Sequence, residues 1–531
     1  MKKTEFTSID FPKVDAENYD MHDADTLRRV FFKSDDKYAK LISKDIYFLI
    51  GAKGSGKTMY AKYLQFCDDS IDVEYYPIRT EDYLKFIEMF ADGKLKYTDF
   101  KTIWKAILLV KLITSIEKND IDKWPGKGRI YAPIAKLKES DILTKIVSDG
   151  FAPRTDEYSR TDGAELNFEL GAEPDVIKSG ISTKNSTETS LSSKTEYTVY
   201  LDRWNAFFNE CKNAIGNLIL KKPKYLIVDG IDVRPKEVTH ENYSRCVTAL
   251  IRAAYEINVS IFKPAWHSAA LKILTLTRPD IFDSSGLNNT ECVLDENAVV
   301  LKWSSFNSKD YRNSDLYKFV NQILSQKPYD PKIDKWLVMF GKDIRRGGDT
   351  LDAFEYCQRL TLARPRNFIK LFRLLKDAAI NDDTTQYLQL QRYFNTDNLQ
   401  KEYSRWFISC IRSELSYFCD ADQYELFINF LKTFNNLTFS YSDFIENVNR
   451  FSNSSQLLDT FKSEIFLLNL MYQLNIVCYI QGRNLYHWYY REESHTNLRP
   501  DLSVYRIDSS SKFCFHWAVE KELGTYIYKR R

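Results

Sequence analysis

The sequence predicts an α/β fold: a sheet core, a helical segment after it, and a mostly α C-terminal region. Three observations predict it. Apolar runs of strand length, Ile46–Ile50, Ile71–Ile78, Tyr225–Val228 and Ile273–Leu276, alternate with stretches of helical periodicity. From about Asp315 to Ala379 the pattern is helical. A polar stretch, Asp382-Asp383-Thr384-Thr385, then leads into a third, mostly helical region.

The first run carries the clearest motif. Residues 1 to 44 show a helical pattern around Leu27–Leu41, and Ile46–Ile50 then runs straight into Gly51-Ala52-Lys53-Gly54-Ser55-Gly56-Lys57-Thr58. Tyr60, Tyr63, Leu64 and Cys67 follow at helical spacing. Strand, glycine loop and helix is the P-loop arrangement. Its glycines let backbone N–H groups close around phosphate oxygens, and the helix N-terminus adds its positive dipole end. Gly51, Gly54, Ser55, Gly56, Lys57 and Thr58 are the expected nucleotide contacts. Lys57 is expected to reach the β- and γ-phosphates, and Thr58 to offer its hydroxyl to Mg²⁺. No Asn-Lys-x-Asp stretch for guanine and no Leu-Ser-Gly-Gly-Gln stretch is present, so ATP is the expected nucleotide.

A P-loop binds nucleotide, and hydrolysis needs a carboxylate at the end of a neighbouring strand. Tyr225–Val228 ends in Asp229, which is placed to hold Mg²⁺ together with Thr58. The glutamate that often follows such an acid is replaced by Gly230. Asp232 is the nearest substitute for positioning the attacking water; the alternative for it is a surface turn before Pro235. A helix is expected over Tyr243–Glu256. The strand Ile273–Leu276 ends at Thr277-Arg278-Pro279-Asp280, where Arg278 is a candidate catalytic cation and a salt bridge to Asp280 is the alternative. Val299–Trp303 reads as a further short strand. Arg364-Pro365-Arg366 opens an amphipathic helix, Asn367–Ala378, with proline marking its start. Arg366 is the third catalytic candidate, where a helical lid touches the nucleotide.

Composition sets bounds on the rest. The 531 residues are 44% apolar and 28% charged, as in an ordinary soluble protein of two to four domains. A formal net charge of +2 gives no global field for nucleic acid. Nine scattered cysteines without a C-x-x-C pair read as reduced thiols, and six histidines show no metal-ligand spacing. The N-terminus shows no apolar signal region, and Ile107–Ile113 is interrupted by Lys111 and too short to span a bilayer. A cytoplasmic protein without a membrane partner is the expectation.

Within the middle of the chain, Phe100–Ile116 is an amphipathic helix, and the pattern weakens from about Asp120 to Lys194. Ser182–Ser193 reads as a polar low-complexity loop, and helical periodicity returns over Asp202–Leu220. Near the C-terminus, a helix over Ile465–Leu474 precedes strands Ile476–Ile480 and Leu485–Tyr490 joined by a turn with Gly482. A helix and hairpin of this size resemble a winged helix, which serves either nucleic-acid contact or protein–protein contact. The tail Tyr528–Arg531 reads as a solvated end.

Together, Gly51–Thr58, Tyr225–Asp232, Thr277–Asp280 and Arg364–Arg366 resemble bacterial P-loop ATPases near the STAND and KAP branches of the AAA+-like class, over roughly residues 25 to 380. The resemblance implies an ATPase core over 1–314 with an insertion at about 120–200, a helical lid over 315–385, and a helical, winged-helix-like domain over 386–531. It implies ATP and Mg²⁺ as cofactors and a switch in defence or signalling, acting as a homo-oligomer or on a separate effector protein. The missing glutamate after Asp229 implies slow turnover. A nucleic-acid motor or clamp, and a nucleotide-binding scaffold without turnover, are the competing readings.

Overall fold

A computed structural model describes residues 3–79, 82–83, 97–122, 208–304, 308–346, 349–394, 396–482, 485–492 and 502–519. Most of the expected insertion, the Ser182–Ser193 loop and the Tyr528–Arg531 tail lie outside those residues. Strands β1 (Phe48–Ile50), β2 (Asp72–Pro77), β3 (Lys224–Asp229), β4 (Leu271–Thr277) and β5 (Ala298–Val300) form one sheet in the order β2-β3-β4-β1-β5. β1 runs parallel to both neighbours, with Ile50 opposite Thr277 and opposite Val300. β1, β3 and β4 are buried along their whole length, which is why they read as unbroken apolar runs rather than alternating ones. The ends of β1 and β4 meet directly: Gly51 N donates to Thr277 O at 3.1 Å.

The chain forms two compact units, Met1–Asp69 with Ile227–Ser244 and Leu274–Arg531, and Ser70–Leu226 with Arg245–Ile273. In the second, helix Tyr97–Ser115 is buried on more than the one stripe expected of an amphipathic helix: Ala106, Leu109 and Val110 are buried as well as Trp104, Ile107, Leu108 and Leu112. Trp104 Nε1 donates to Cys246 O at 3.1 Å, so its one polar atom is satisfied inside the core. Lys224 pairs with Asp120 at 2.8 Å.

In the first unit, helix Lys57–Cys67 follows β1, and helix Asp315–Ser325 opens the stretch expected to be helical. That stretch is less uniformly helical than its sequence suggests. Between helices Lys335–Phe340 and Ala353–Thr361 lies an antiparallel hairpin, β6 (Asp343–Arg346) and β7 (Asp349–Asp352), with Arg345 opposite Thr350. Buried Ile344 anchors it, within a stretch whose helical periodicity had hidden the two short strands. Helix Pro365–Ile380 ends this stretch. Leu362 and Ala363 before it both have φ of 53°, a left-handed conformation costly for residues with a Cβ.

One apolar cluster joins these helices to the C-terminal elements, from Phe354, Phe368 and Phe372 to Phe427, Leu468 and Phe513. Helix Asp397–Leu415 is followed by helix Ala421–Leu431, strand β8 (Thr438–Ser440), and helices Tyr441–Arg450, Ser454–Phe461 and Glu464–Gln473. Strands β9 (Val477–Gln481), β10 (Leu485–His487) and β11 (Lys512–Phe515) then form a second sheet in the order β10-β9-β11-β8. β10 ends earlier than expected: Tyr489–Glu492 is helical, and Tyr490 N donates to the Asn475 side chain at 3.0 Å. No helix among the described residues is long and apolar enough to cross a membrane.

Candidate nucleotide site

The glycine loop turns where its sequence requires it. Gly54 and Gly56 have φ of 83° and 94°, which only glycine adopts without cost. A Cβ on Gly51 would lie 2.3 Å from Ser55 Oγ. Lys57 is buried at the first position of the following helix, and its Nζ donates to Gly51 O at 2.8 Å, curled inside the loop. Burial pushes its ammonium down, against the pull of Asp232 and Asp229.

Asp229 at the end of β3 meets this loop. Thr58 Oγ1 donates to Asp229 Oδ2 at 2.8 Å, and Gly230 N donates to Asp229 Oδ1 at 2.8 Å. Burial, followed by the charge of Asp232, pushes the Asp229 carboxyl up. Gly230 has φ of 85°, so the chain leaves the strand in a conformation that disfavours glutamate there. Burial opposes the charge on Asp232 as well, but Lys57, Lys53 and Arg278 outweigh it and hold that carboxyl below its usual range. Two neighbouring carboxylates are thus shifted in opposite directions.

Arg278 is buried, with Nε donating to Asp280 Oδ1 at 2.9 Å and the guanidinium 5.6 Å from the Tyr417 ring centre. Its Nη1 and the Ser55 hydroxyl are both buried, with no hydrogen-bond partner among the described residues. Orphaned polar groups of this kind are costly unless something else satisfies them. A cationic nitrogen and a hydroxyl fit phosphate oxygens.

Arg366 lies against the loop: its N donates to Gly54 O at 3.4 Å, and a Cβ on Gly54 would come within 3.2 Å of Arg366 Cβ. Its guanidinium is 3.7 Å from Asp15 Oδ1. Arg364, two residues earlier, is buried on Glu414. Arg345 and Arg346 sit in the β6–β7 hairpin. The structure therefore brings Lys57, Thr58, Asp229 and Arg366 to one loop, with Asp232 and Arg278 near enough for their charges to act on Lys57, and Arg278 makes the salt bridge to Asp280 that was its alternative.

Several contacts here had no sequence signal. Trp303 Nε1 donates to Ser55 O at 2.8 Å and braces the loop from behind β5. Lys53 reaches the Ser413 hydroxyl, and Arg234 Nε donates to Ser416 O at 3.2 Å, so the end of helix Asp397–Leu415 touches the loops after β1 and β3. Each of these partners is far away in sequence.

The oxygen donors suit a small hard cation. Among the described residues no group of three or more His, Cys, Asp or Glu could hold a metal ion. One hydroxyl and one carboxylate are what Mg²⁺ takes from a protein when phosphates and waters complete its shell. Thr58 and Asp229 are the residues that would hold it.

The parallel strands around β1, the glycine loop and the Thr58–Asp229 pair make this a P-loop NTPase-like core within a mixed α/β structure. Comparison with protein-family models and with curated proteins gives no match. Among solved structures, the chain is similar to the crystal structure of Cdc6p from Pyrobaculum aerophilum, at 10% identity over 99% of each chain with a TM-score of 0.26. So low a score carries no weight, and the class rests on the geometry of the loop.

Proposed function

We propose that this protein is an ATP-binding, slowly hydrolysing switch that controls a partner protein. The observation that carries the reading is the Thr58–Asp229 hydrogen bond at 2.8 Å, which joins the loop's Mg²⁺-binding hydroxyl to the strand-end acid. The glycine loop and Lys57 would hold the β- and γ-phosphates. The bound cation would neutralise charge developing on the phosphoryl oxygens. Asp232, kept ionised by the surrounding cations, would position the attacking water, and Arg278 would meet the charge that develops on the γ-phosphate. Arg366, packed on Gly54 at the start of the lid helix, would sense whether that phosphate is present. A contact of different strength in the two nucleotide states is what a switch requires.

The motif resemblance to the STAND and KAP branches of the AAA+-like class supports a role in bacterial defence or signalling. It also supports a subunit boundary near the site, across which Arg345 or Arg346 would act. A winged-helix-like reading of the last domain rests on helices Tyr441–Arg450 and Glu464–Gln473 and the β9–β10 hairpin. Helix Glu464–Gln473 opens with an acid followed by exposed Ile465 and Phe466, and β10 exposes Leu485 and Tyr486. Apolar side chains behind an acidic first turn favour a protein partner over a phosphate backbone.

The test is steady-state phosphate release beside direct ATP binding, with and without DNA. Slow release unaffected by DNA supports the switch. DNA stimulation favours a nucleic-acid motor or clamp, and tight binding with no release favours a scaffold. No ATP binding at all overturns every one of these readings.

A further inference from the structure

The N-terminal segment lies along the lid helix Pro365–Ile380 and runs against its direction. Lys3 N donates to Gln386 O at 2.7 Å, beyond the helix's C-terminal end. Lys376 Nζ donates to Ile9 O at 2.8 Å, and Arg373 Nη2 to Pro12 O at 2.7 Å. Phe6 and Phe11 pack on Phe372, with ring centroids 6.2 and 5.4 Å away. The last contact of the series is Asp15 on Arg366, at the helix start and beside the glycine loop. Residues 3 to 15 are therefore a strap fastened from one end of the lid helix to the other.

The Asp15 end of the strap is held in place. The Asp15 side chain caps the turn Ala16–Asn18 by accepting from Glu17 N at 3.3 Å. Lys13 N donates to Tyr19 Oη at 2.8 Å, and Lys13 Nζ to Asn18 O at 2.7 Å. Tyr19 is buried against Met59 and Phe66 of the helix that follows the glycine loop. Burial, then the charges of Asp15 and Asp229, raise the Glu17 carboxyl.

We propose that Asp15 is a specificity-determining residue of the nucleotide site. Its carboxylate holds Arg366 when no γ-phosphate is present, and the γ-phosphate of ATP takes its place. The inference rests on the reading above that Arg366 senses the γ-phosphate. ADP, which lacks that group, leaves the Asp15–Arg366 pair intact. The pair suits an exchange: it is 3.7 Å long, and the two side chains are 53% and 28% exposed. Exposed pairs of this kind are weak enough for a triphosphate to displace. Once the pair is displaced, Arg366 is released from the strap, while the strap keeps its fastenings at Tyr19, Arg373, Lys376 and Gln386.

Asp15→Asn is the decisive variant, because asparagine caps a turn as well as aspartate while carrying no charge. ATP and ADP affinities are measured by calorimetry for the parent, Asp15→Asn, Arg366→Ala and the double variant. The expected result is an ATP affinity raised about two- to five-fold in Asp15→Asn, the scale of an exposed ion pair, with ADP affinity unchanged. In the Arg366→Ala background Asp15→Asn should have no effect. If Arg366→Ala weakens ATP selectively but Asp15→Asn does not strengthen it, the inference is wrong and the reading of Arg366 stands. If Arg366→Ala leaves ATP and ADP affinities alike, that reading fails and the inference with it. Weaker binding of both nucleotides in Asp15→Asn, with a lowered melting temperature, would assign Asp15 a purely structural role and overturn the proposal.

Discussion

Arg364 and Glu414 form a buried ion pair that joins the residue before the lid helix to the last turn of helix Asp397–Leu415. Removing one partner leaves the other charge buried without this ion pair. Glu414→Ala should therefore cost about 3–5 kcal/mol, whereas replacing both by leucine should recover most of that loss. Urea unfolding followed by tryptophan fluorescence measures both. Equal stability of Glu414→Ala and the parent would show that the pair is not buried as described.

Lys57→Ala should weaken ATP binding about ten- to hundred-fold, the scale of a charge-assisted hydrogen bond of about 1.5–3 kcal/mol. The deletion also removes the donor to Gly51 O, so the loop itself loosens. Unchanged nucleotide affinity in this variant contradicts the P-loop assignment.

Asp229→Asn should abolish Mg²⁺-dependent hydrolysis, and Asp232→Asn should keep ATP binding while losing turnover. Gly230→Glu, which restores the absent glutamate, should gain no activity and cost about 1–2 kcal/mol, because residue 230 is left-handed at φ 85°. Phosphate release by the three variants separates these roles. Parental turnover in Asp232→Asn places the water-positioning group elsewhere.

His516 predicts a pH dependence of stability. It is buried and stacked on Phe407 at 4.4 Å, with Nδ1 accepting from Ala518 N at 3.3 Å. Burial pushes it down from 6.5 to about 4. The folded state thus holds His516 neutral while the unfolded chain takes up a proton below pH 6.5. Its contribution is present above that pH and lost as pH falls toward 4, about 2 kcal/mol by pH 5. His516→Phe should be less stable at pH 7 yet change less between pH 7 and 5. Identical pH slopes for the two proteins in urea unfolding would refute this.

The sequence disclosed what neighbouring residues decide together. Gly51–Thr58, Tyr225–Asp229 and Ile273–Arg278 each combine a strand and its terminal group within a few positions, so their chemistry is local. Arg364-Pro365-Arg366 announced a helix start, but nothing nearby says that Arg364 turns inward to Glu414 while Arg366 faces the loop. Asp15, Lys53 and Trp303 gave no signal, because their partners Arg366, Ser413 and Ser55 are hundreds of residues away. β8 and β11 were missed for a different reason. Thr438–Ser440 and Lys512–Phe515 are too short for periodicity to register, and only pairing with each other and with β9 makes them strands.

The strap has a consequence for how the chain is made. Lys3 finds its acceptor at Asp382, 379 residues later. At a ribosomal rate of about 5–20 residues per second, the strap waits roughly 20–75 seconds for its helix to be synthesised. Phe6, Ile9 and Phe11 stay uncovered for that interval, and the contact cannot join an early folding nucleus. Chaperone dependence during translation should therefore concentrate on the first dozen residues, and charged substitutions there should relieve it while leaving the lid unfastened.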